Sequence, residues 1–233
     1  IAQCLVGSEM CIRDSIRTAL NFDPERIMAI HNGYNDRFRP MEGTAETVRK
    51  YLQDPEFLFF LGNTDPKKNT PGTLKAYAEY VRRSEKPLPL LVADLGEQPA
   101  EAILREIGEP RLRGMLRLAG YIPNSDLPAI YNEASAFLYT SLRESFGIPQ
   151  LEAMACGTPV VTSAASAIPE VAGQGAILVD PTDPTAIADA LLRLETDAAF
   201  RARQVAYGLE RVKRFSWEKT ARHLLTLYES LGK

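Results

Sequence analysis

Two glutamates, Glu144 and Glu152, frame the segment ESFGIPQLE. A carboxylate can accept hydrogen bonds from both hydroxyls of a vicinal diol, each charge-assisted bond being worth about 1.5–3 kcal/mol. Upstream, Gly62 is followed shortly by Lys67 and Lys68. Glycine lets the backbone approach a ligand closely, and a lysine ammonium is a mobile point charge suited to phosphate oxygens. Between and after the glutamates, Pro149 suits the first position of a helix and Gly157 its C′ position, so a short helix over 149–155 is expected with Gly147 just before it. Glu144 then lies in a loop and Glu152 one turn into the helix, both toward one crevice. The amides of Ser145, Phe146 and Gly147, with the helix N-terminus, would face an anionic group such as a diphosphate.

Plainer readings stay open on pattern alone. A Lys-Lys pair is more often a solvated surface, and Glu152 is more often a helix-start charge than a ligand. Ile168, Val171 and Ala172 suggest another short helix, near whose start Glu170 reads as a dipole partner. The two histidines, His31 and His223, read as structural or surface positions and not as a catalytic base.

What must position these groups is a series of βα units. From Phe57 onward, short runs rich in Val, Ile, Leu and Phe alternate with stretches of helical period, as around a parallel sheet. The expected strands are 57–61, 88–93, 115–118, 136–140, 159–162 and 176–179, with 26–30 as one more. Leu74, Tyr77, Ala78 and Val81 mark one helix face, and Ile187, Ala188, Leu191, Leu192 and Leu194 another; both are expected to pack on the sheet. Ser216 is expected to cap a final helix with Leu224, Leu225 and Tyr228 on one side. Asn32-Gly33 favours a turn with positive φ, a hinge before the domain. The expected fold class is α/β, one doubly wound parallel sheet over 34–214, in which ligands bind at the carboxyl ends of the strands.

Composition narrows the function. The chain has 233 residues, 45% hydrophobic and 24% charged, as in an ordinary globular protein, and its net charge of −3 offers no basic stripe for nucleic acid. No apolar run approaches the roughly 18–20 residues that span a bilayer. The first fifteen residues have no amphipathic period and no signal-peptide pattern. Leu5–Ser15 resembles the in-frame translation of a sequencing adaptor, so residues 1–15 are expected not to be native and the natural sequence to begin near Ile16, cut off upstream. Cys4 and Cys11 then drop out and Cys156 stands alone, without a disulfide framework or a cysteine cluster for a metal.

Taken together and in order, the motifs resemble the donor-binding C-terminal domain of retaining GT-B glycosyltransferases of the family 4 type, the glycosyl transferases group 1. HNGYNDRFRP resembles the linker into that domain, LGNTDPKKN its phosphate loop, AGYIPNSDLPAIYNEA its base-binding strand and helix, and ESFGIPQLEAMACGTPVV its E-x7-E motif. The resemblance runs from about Ile27 to Lys233. It implies a Rossmann-like sheet forming the C-terminal half of a GT-B enzyme, with 16–33 as the tail of a missing N-terminal domain and linker, and 215–233 as a helix packing back toward that domain.

The resemblance also assigns roles. Lys68 would meet the donor pyrophosphate and Glu144 the hydroxyls of the transferred sugar, these two being the catalytic pair. Glu152 would bind the ribose diol. Gly62, Asn63, Lys67 and the amides of Ser145, Phe146 and Gly147 would line the phosphate and sugar site, and backbone groups near Tyr121 and Ile122 would meet the base. Many relatives have an arginine where Asn63 stands; an amide donates hydrogen bonds but cannot neutralise a diphosphate. The implied reaction is metal- and cofactor-independent transfer of a hexose, with retention, from a nucleotide sugar such as GDP-mannose or UDP-glucose. The acceptor would be a glycan or lipid-linked glycan in polysaccharide assembly, in the cytoplasm or at the inner face of the membrane, with peripheral membrane association of the full-length protein allowed. The chain alone would be inactive. A sugar-nucleotide epimerase or phosphorylase of the same fold, and a non-catalytic nucleotide-binding module, are the competing readings.

Overall fold

The computed structural model describes residues 5–7, 16–19, 21, 23 and 27–231. Of the stretch read as adaptor, only 5–7 is among them; Cys4 and Cys11 lie outside the described residues, as do Gly232 and Lys233. Leu5–Gly7 (β1) runs parallel to Ile27–Ala29 (β2) in a two-stranded sheet of their own. The expected strand at 26–30 therefore forms but does not join the main sheet.

In the main sheet, apolar runs bury alternate residues on opposite faces. Phe57 and Phe59 enter one core while Leu58 and Phe60 enter the other; Leu91 and Ala93 part in the same way from Leu90 and Val92, and Phe137 and Tyr139 from Ala136 and Leu138. Such runs, buried on both sides, are what an all-parallel sheet requires. The strands are Leu58–Leu61 (β3), Leu90–Ala93 (β4), Leu116–Gly120 (β5), Ala136–Tyr139 (β6), Val160–Ser163 (β7) and Ile177–Val179 (β8), in the order β5-β4-β3-β6-β7-β8. All neighbours are parallel. The order grows outward in both directions from the β3–β6 pair, as expected for a doubly wound, Rossmann-like sheet.

Helices cover both faces. Thr70–Arg83 (α2), Glu97–Glu106 (α3) and Pro184–Thr196 (α7) share one core, in which Leu74, Tyr77, Ala78, Ile187, Ala188, Leu191 and Leu194 are buried and Val81 and Leu192 pack at its margin. On the other side lie Ala45–Val48 (α1), Leu127–Glu133 (α4), Ile148–Ala155 (α5) and Ile168–Ala172 (α6). Ala198–Val212 (α8) contributes Phe200 to the first core and Val212 to the second. Among the described residues no helix is long and apolar enough to cross a membrane.

One expectation fails locally. Neither Asn32 nor Gly33 has positive φ; Gly33 instead lets the linker touch the backbone at the start of Trp217–Leu231 (α9), where a β-carbon would lie 2.1 Å from the Trp217 nitrogen. Ser216 does cap α9, accepting from the Lys219 amide at 3.2 Å. The helix docks, however, through Thr220, which donates to the His31 carbonyl, and through buried Leu227 two turns on; Leu225 and Tyr228 are 58% and 66% exposed. The face marked by Leu225 and Tyr228 is turned outward because residues seven apart, not Leu225 and Tyr228, share the docked stripe.

Candidate functional site

The order of strands reverses between β3 and β6, and the crevice of an open α/β sheet lies at the carboxyl ends of such a pair. Both lysine and glutamate candidates arrive there. After β3, Asp65 caps a 3₁₀ turn, Pro66–Lys68, accepting from the Lys67 amide at 3.0 Å. That turn points Lys68 across the gap, where its Nζ donates to Glu144 Oε1 at 2.7 Å. The side chains are only 20% and 13% exposed. The Lys68 ammonium also lies 5.3 Å from the centre of the Tyr139 ring, whose hydroxyl faces the same carboxylate. Burial, reinforced by Glu144, pushes that hydroxyl well above the usual tyrosine range.

The two loops are stapled together. Leu142 donates its amide to the Lys67 carbonyl at 2.8 Å, and Thr73 and Thr140 share a hydroxyl hydrogen bond of 2.6 Å. Asn69, held in the left-handed region at φ 56, donates its amide to the carbonyls of Thr140 at 3.1 Å and Pro181 at 2.7 Å. Thr70 Oγ1 donates to the Asn63 carbonyl at 2.6 Å. On the far side, Ser166 Oγ donates to the Glu144 carbonyl at 2.7 Å. Pattern reading missed Asn69, Thr140, Tyr139 and Ser166; the Asn69-Thr70-Pro71 helix-start signal was there to find the first of them.

Other predicted residues fall around this pair. Lys67 turns away, forming a solvent-facing ion pair with Asp65 at 3.1 Å, so the structure does not bring it to Glu144. The Asn63 side chain accepts from the Asp65 amide at 2.9 Å and serves the loop itself. Gly62 closes β3, its amide bonded to the Ala93 carbonyl at 3.2 Å. Gly147 takes φ 90 at the start of α5, where a β-carbon would lie 2.7 Å from Gln150 Nε2. The amides of Ser145, Phe146 and Gly147 have no acceptor among the described residues. Helix α5 starts one residue before the expected 149 and ends at Ala155, with Gly157 in the left-handed C′ position.

Glu152 is half-buried on α5. Desolvation raises its carboxyl to about 7, against the opposing charge of Arg37, a residue that pattern reading did not single out. Cys156, one turn on and buried, is pushed up to about 12 by desolvation and is inert as a nucleophile. Tyr121 and Ile122 follow β5, two strands from β3 and so about 10 Å across the sheet. Tyr121 is 73% exposed, whereas the Ile122 side chain enters the core. Glu170 is more than a dipole partner: its carboxylate is 2.7 Å from His31 Nε2.

The site thus has a lysine–glutamate pair and three amides without acceptors among the described residues at the ends of β3 and β6, the half-buried Glu152 carboxylate further along α5, and the end of β5 two strands across the sheet. Proteins with known names resemble the chain in sequence and in fold. The chain is 31% identical over 223 residues to O-antigen chain mannosyltransferase B of Escherichia coli, covering 94% of this chain and 58% of the relative. It is 32% identical over 236 residues to D-inositol 3-phosphate glycosyltransferase of Frankia alni, covering 96% and 58%. Among solved structures it resembles sucrose-phosphate synthase from Thermosynechococcus elongatus, with TM-score 0.81, 24% identity and coverage of 98% and 58%. It also resembles Anabaena Alr3699/HepE in complex with UDP-glucose, with TM-score 0.82, 16% identity and coverage of 98% and 64%. The chain spans little more than half the length of these proteins. The family described as glycosyl transferases group 1 matches residues 45–211, and the chain belongs to that family.

Proposed function

We propose that the chain carries the donor-binding half of a retaining, metal-independent glycosyltransferase, which moves a hexose from a nucleotide-diphosphate sugar to a glycan or lipid-linked acceptor. The observation that carries this reading is the Lys68–Glu144 pair at the point where strand order reverses. A relative named as a mannosyltransferase and a like-folded structure holding UDP-glucose support it. GDP-mannose and UDP-glucose are accordingly the first donors to try.

In this reading Lys68 and the amides of Ser145, Phe146 and Gly147 bind the diphosphate. As the bond from the anomeric carbon to phosphate breaks, negative charge gathers on the leaving group, and fixed donors stabilise it without reorganising. Lys68, drawn to the diphosphate, releases Glu144 to accept from a sugar hydroxyl. Glu152 accepts from the ribose diol, and the backbone at Tyr121 and Ile122 meets the base. The acceptor wall comes from the part of the longer relatives that this chain does not span, so the chain alone binds donor weakly and turns nothing over. The setting is the cytoplasm or the inner face of the membrane.

Calorimetric titration of the chain with UDP-glucose and GDP-mannose, followed by a transfer assay in the full-length protein, tests the proposal. Binding of one donor, weakened in the Lys68→Met variant, is expected. Failure of every nucleotide sugar to bind would sink it.

A further inference from the structure

Three rings from distant parts of the chain meet behind the Glu144 loop. His31 lies 6.0 Å from Phe146 and 5.6 Å from Phe215, centre to centre, and Phe146 and Phe215 are 5.8 Å apart, edge to face. Phe146 and Phe215 are each 4% exposed, whereas the His31 side chain keeps 39% of its surface. The imidazole is therefore the solvent-side member of the cluster, and it covers the one aromatic residue of the loop between Glu144 and Glu152.

His31 is itself held from two sides. Its Nε2 is 2.7 Å from Glu170 Oε1, and its carbonyl accepts from Thr220 Oγ1 at 2.7 Å. Glu170 is in turn fixed through the backbone: Arg211 donates to the carbonyls of Glu170 and, at 2.9 Å, of Val171. Behind the ring stands a chain of bonds through α6 to α8, and behind its peptide stands α9. The ring contact with Phe146 is where this rigid frame meets the loop. Lys68 and Ser166 tie the loop at Glu144, and Gln150 ties its far end, donating Nε2 to the Phe146 carbonyl at 3.4 Å and its amide to the Gly147 carbonyl at 3.3 Å; the Phe146 side chain itself is held by the rings.

We propose that His31 is a positioning residue for the donor: clamped by Glu170, it presses on Phe146 and so fixes the direction of the amides of Ser145, Phe146 and Gly147. Hydrogen-bond strength falls steeply as donor and acceptor lose alignment, so a loop free to tilt binds a diphosphate less well even when every donor is present. The inference rests on the reading of those amides as diphosphate donors. It extends the site to two residues that never touch the ligand.

The test compares UDP-glucose and GDP-mannose, titrated by calorimetry, with uridine and guanosine, titrated by NMR, on the unaltered protein and on His31→Ala, Glu170→Ala and Glu170→Gln. His31→Ala is expected to weaken the bound nucleotide sugar by about five- to tenfold, the size of one lost aromatic contact, while leaving the nucleoside within about twofold. Glu170→Ala weakens it in the same direction, and Glu170→Gln, whose amide oxygen still accepts from the imidazole, restores it. If His31→Ala does not fold, the two Glu170 variants carry the comparison. Equal losses for nucleoside and nucleotide sugar, or a Glu170→Ala variant with unchanged nucleotide-sugar affinity, overturn the positioning role while leaving the donor site standing. No binding of any nucleotide sugar by the unaltered protein removes the donor site and this role together.

Discussion

Lys68 Nζ stands 2.7 Å from Glu144 Oε1, joining residues 76 positions apart across the gap between β3 and β6. In this arrangement each group neutralises the other, so neither meets a ligand as a bare charge. Under the proposed function an arriving diphosphate competes with Glu144 for the ammonium, and the carboxylate it displaces is set free beside the sugar.

The pair is shielded enough for its coupling to be measured. Lys68→Met and Glu144→Gln are each expected to destabilise the protein by about 1–3 kcal/mol, and the double variant by less than their sum, with a coupling of about 1–2 kcal/mol in urea unfolding. Strict additivity would show that the contact contributes nothing. In a transfer assay Lys68→Met should lower kcat by about 10²-fold, the usual cost of losing one fixed donor to a developing anion.

Glu152 gives a pH signature. Its carboxyl is raised to about 7 in the fold from an ordinary 4.5, so this site favours folding fully below about 4.5 and loses that contribution as pH rises through 7. Glu152→Gln should match the parent near pH 5 and exceed it in stability at pH 8 by on the order of 1–3 kcal/mol. Donor affinity runs the opposite way, rising with pH through 7 as the carboxylate becomes able to accept from both ribose hydroxyls. Urea titrations and donor titrations at the two pH values check both signs; a pH-independent donor affinity would remove Glu152 from the ribose.

Two glycines separate crowding from backbone conformation. Gly43 has φ 73 with nothing within 4 Å of an added β-carbon, so Gly43→Ala should cost about 1–2 kcal/mol, the left-handed penalty alone. Gly33 has ordinary φ, yet its β-carbon would strike the backbone of Ser216 and Trp217, and neither can move without shifting α9. Gly33→Ala should therefore cost more than about 3 kcal/mol in thermal or urea unfolding. Equal costs for the two would mean that the linker and α9 are not in contact in solution.

The motif that LGNTDPKKN resembles carries an arginine where Asn63 stands. Asn63→Arg should tighten nucleotide-sugar binding by about three- to tenfold at low salt, with the gain fading at 0.5 M salt as the added charge is screened. It should also loosen the turn that Asn63 now holds through the Asp65 amide. A salt-independent gain would point to a new contact other than charge.

The sheet was legible because its signal is local and repeated. Strands read at 57–61, 88–93, 115–118, 136–140, 159–162 and 176–179 appear within a few residues of those limits, since runs such as Phe57–Leu61 are apolar on both faces and fit no exposed element. The strand at 26–30 read correctly as extended, but pattern cannot say that its partner is Leu5–Gly7 and not the main sheet. Asn32-Gly33 misled because turn propensity describes the chain in isolation, whereas Gly33 is required by a neighbour 184 positions away at Trp217. The same limit hid the joins within the site. Lys68 and Glu144 were each singled out, but their bond, and those of Asn69, Ser166 and His31, depend on which loops the strand order makes adjacent.

Asn69 has one more implication. Its single amide reaches the carbonyls of Thr140, at the end of β6, and Pro181, beyond β8, from a loop that leaves β3. Three strand ends are thus spaced by the length of one short side chain, which acts as a fixed gauge for the mouth of the crevice. This wall has no slack with which to follow donors of different girth. Under the proposed function, adjustment to a larger or smaller sugar falls to whatever closes the crevice from outside and not to residues 62–69.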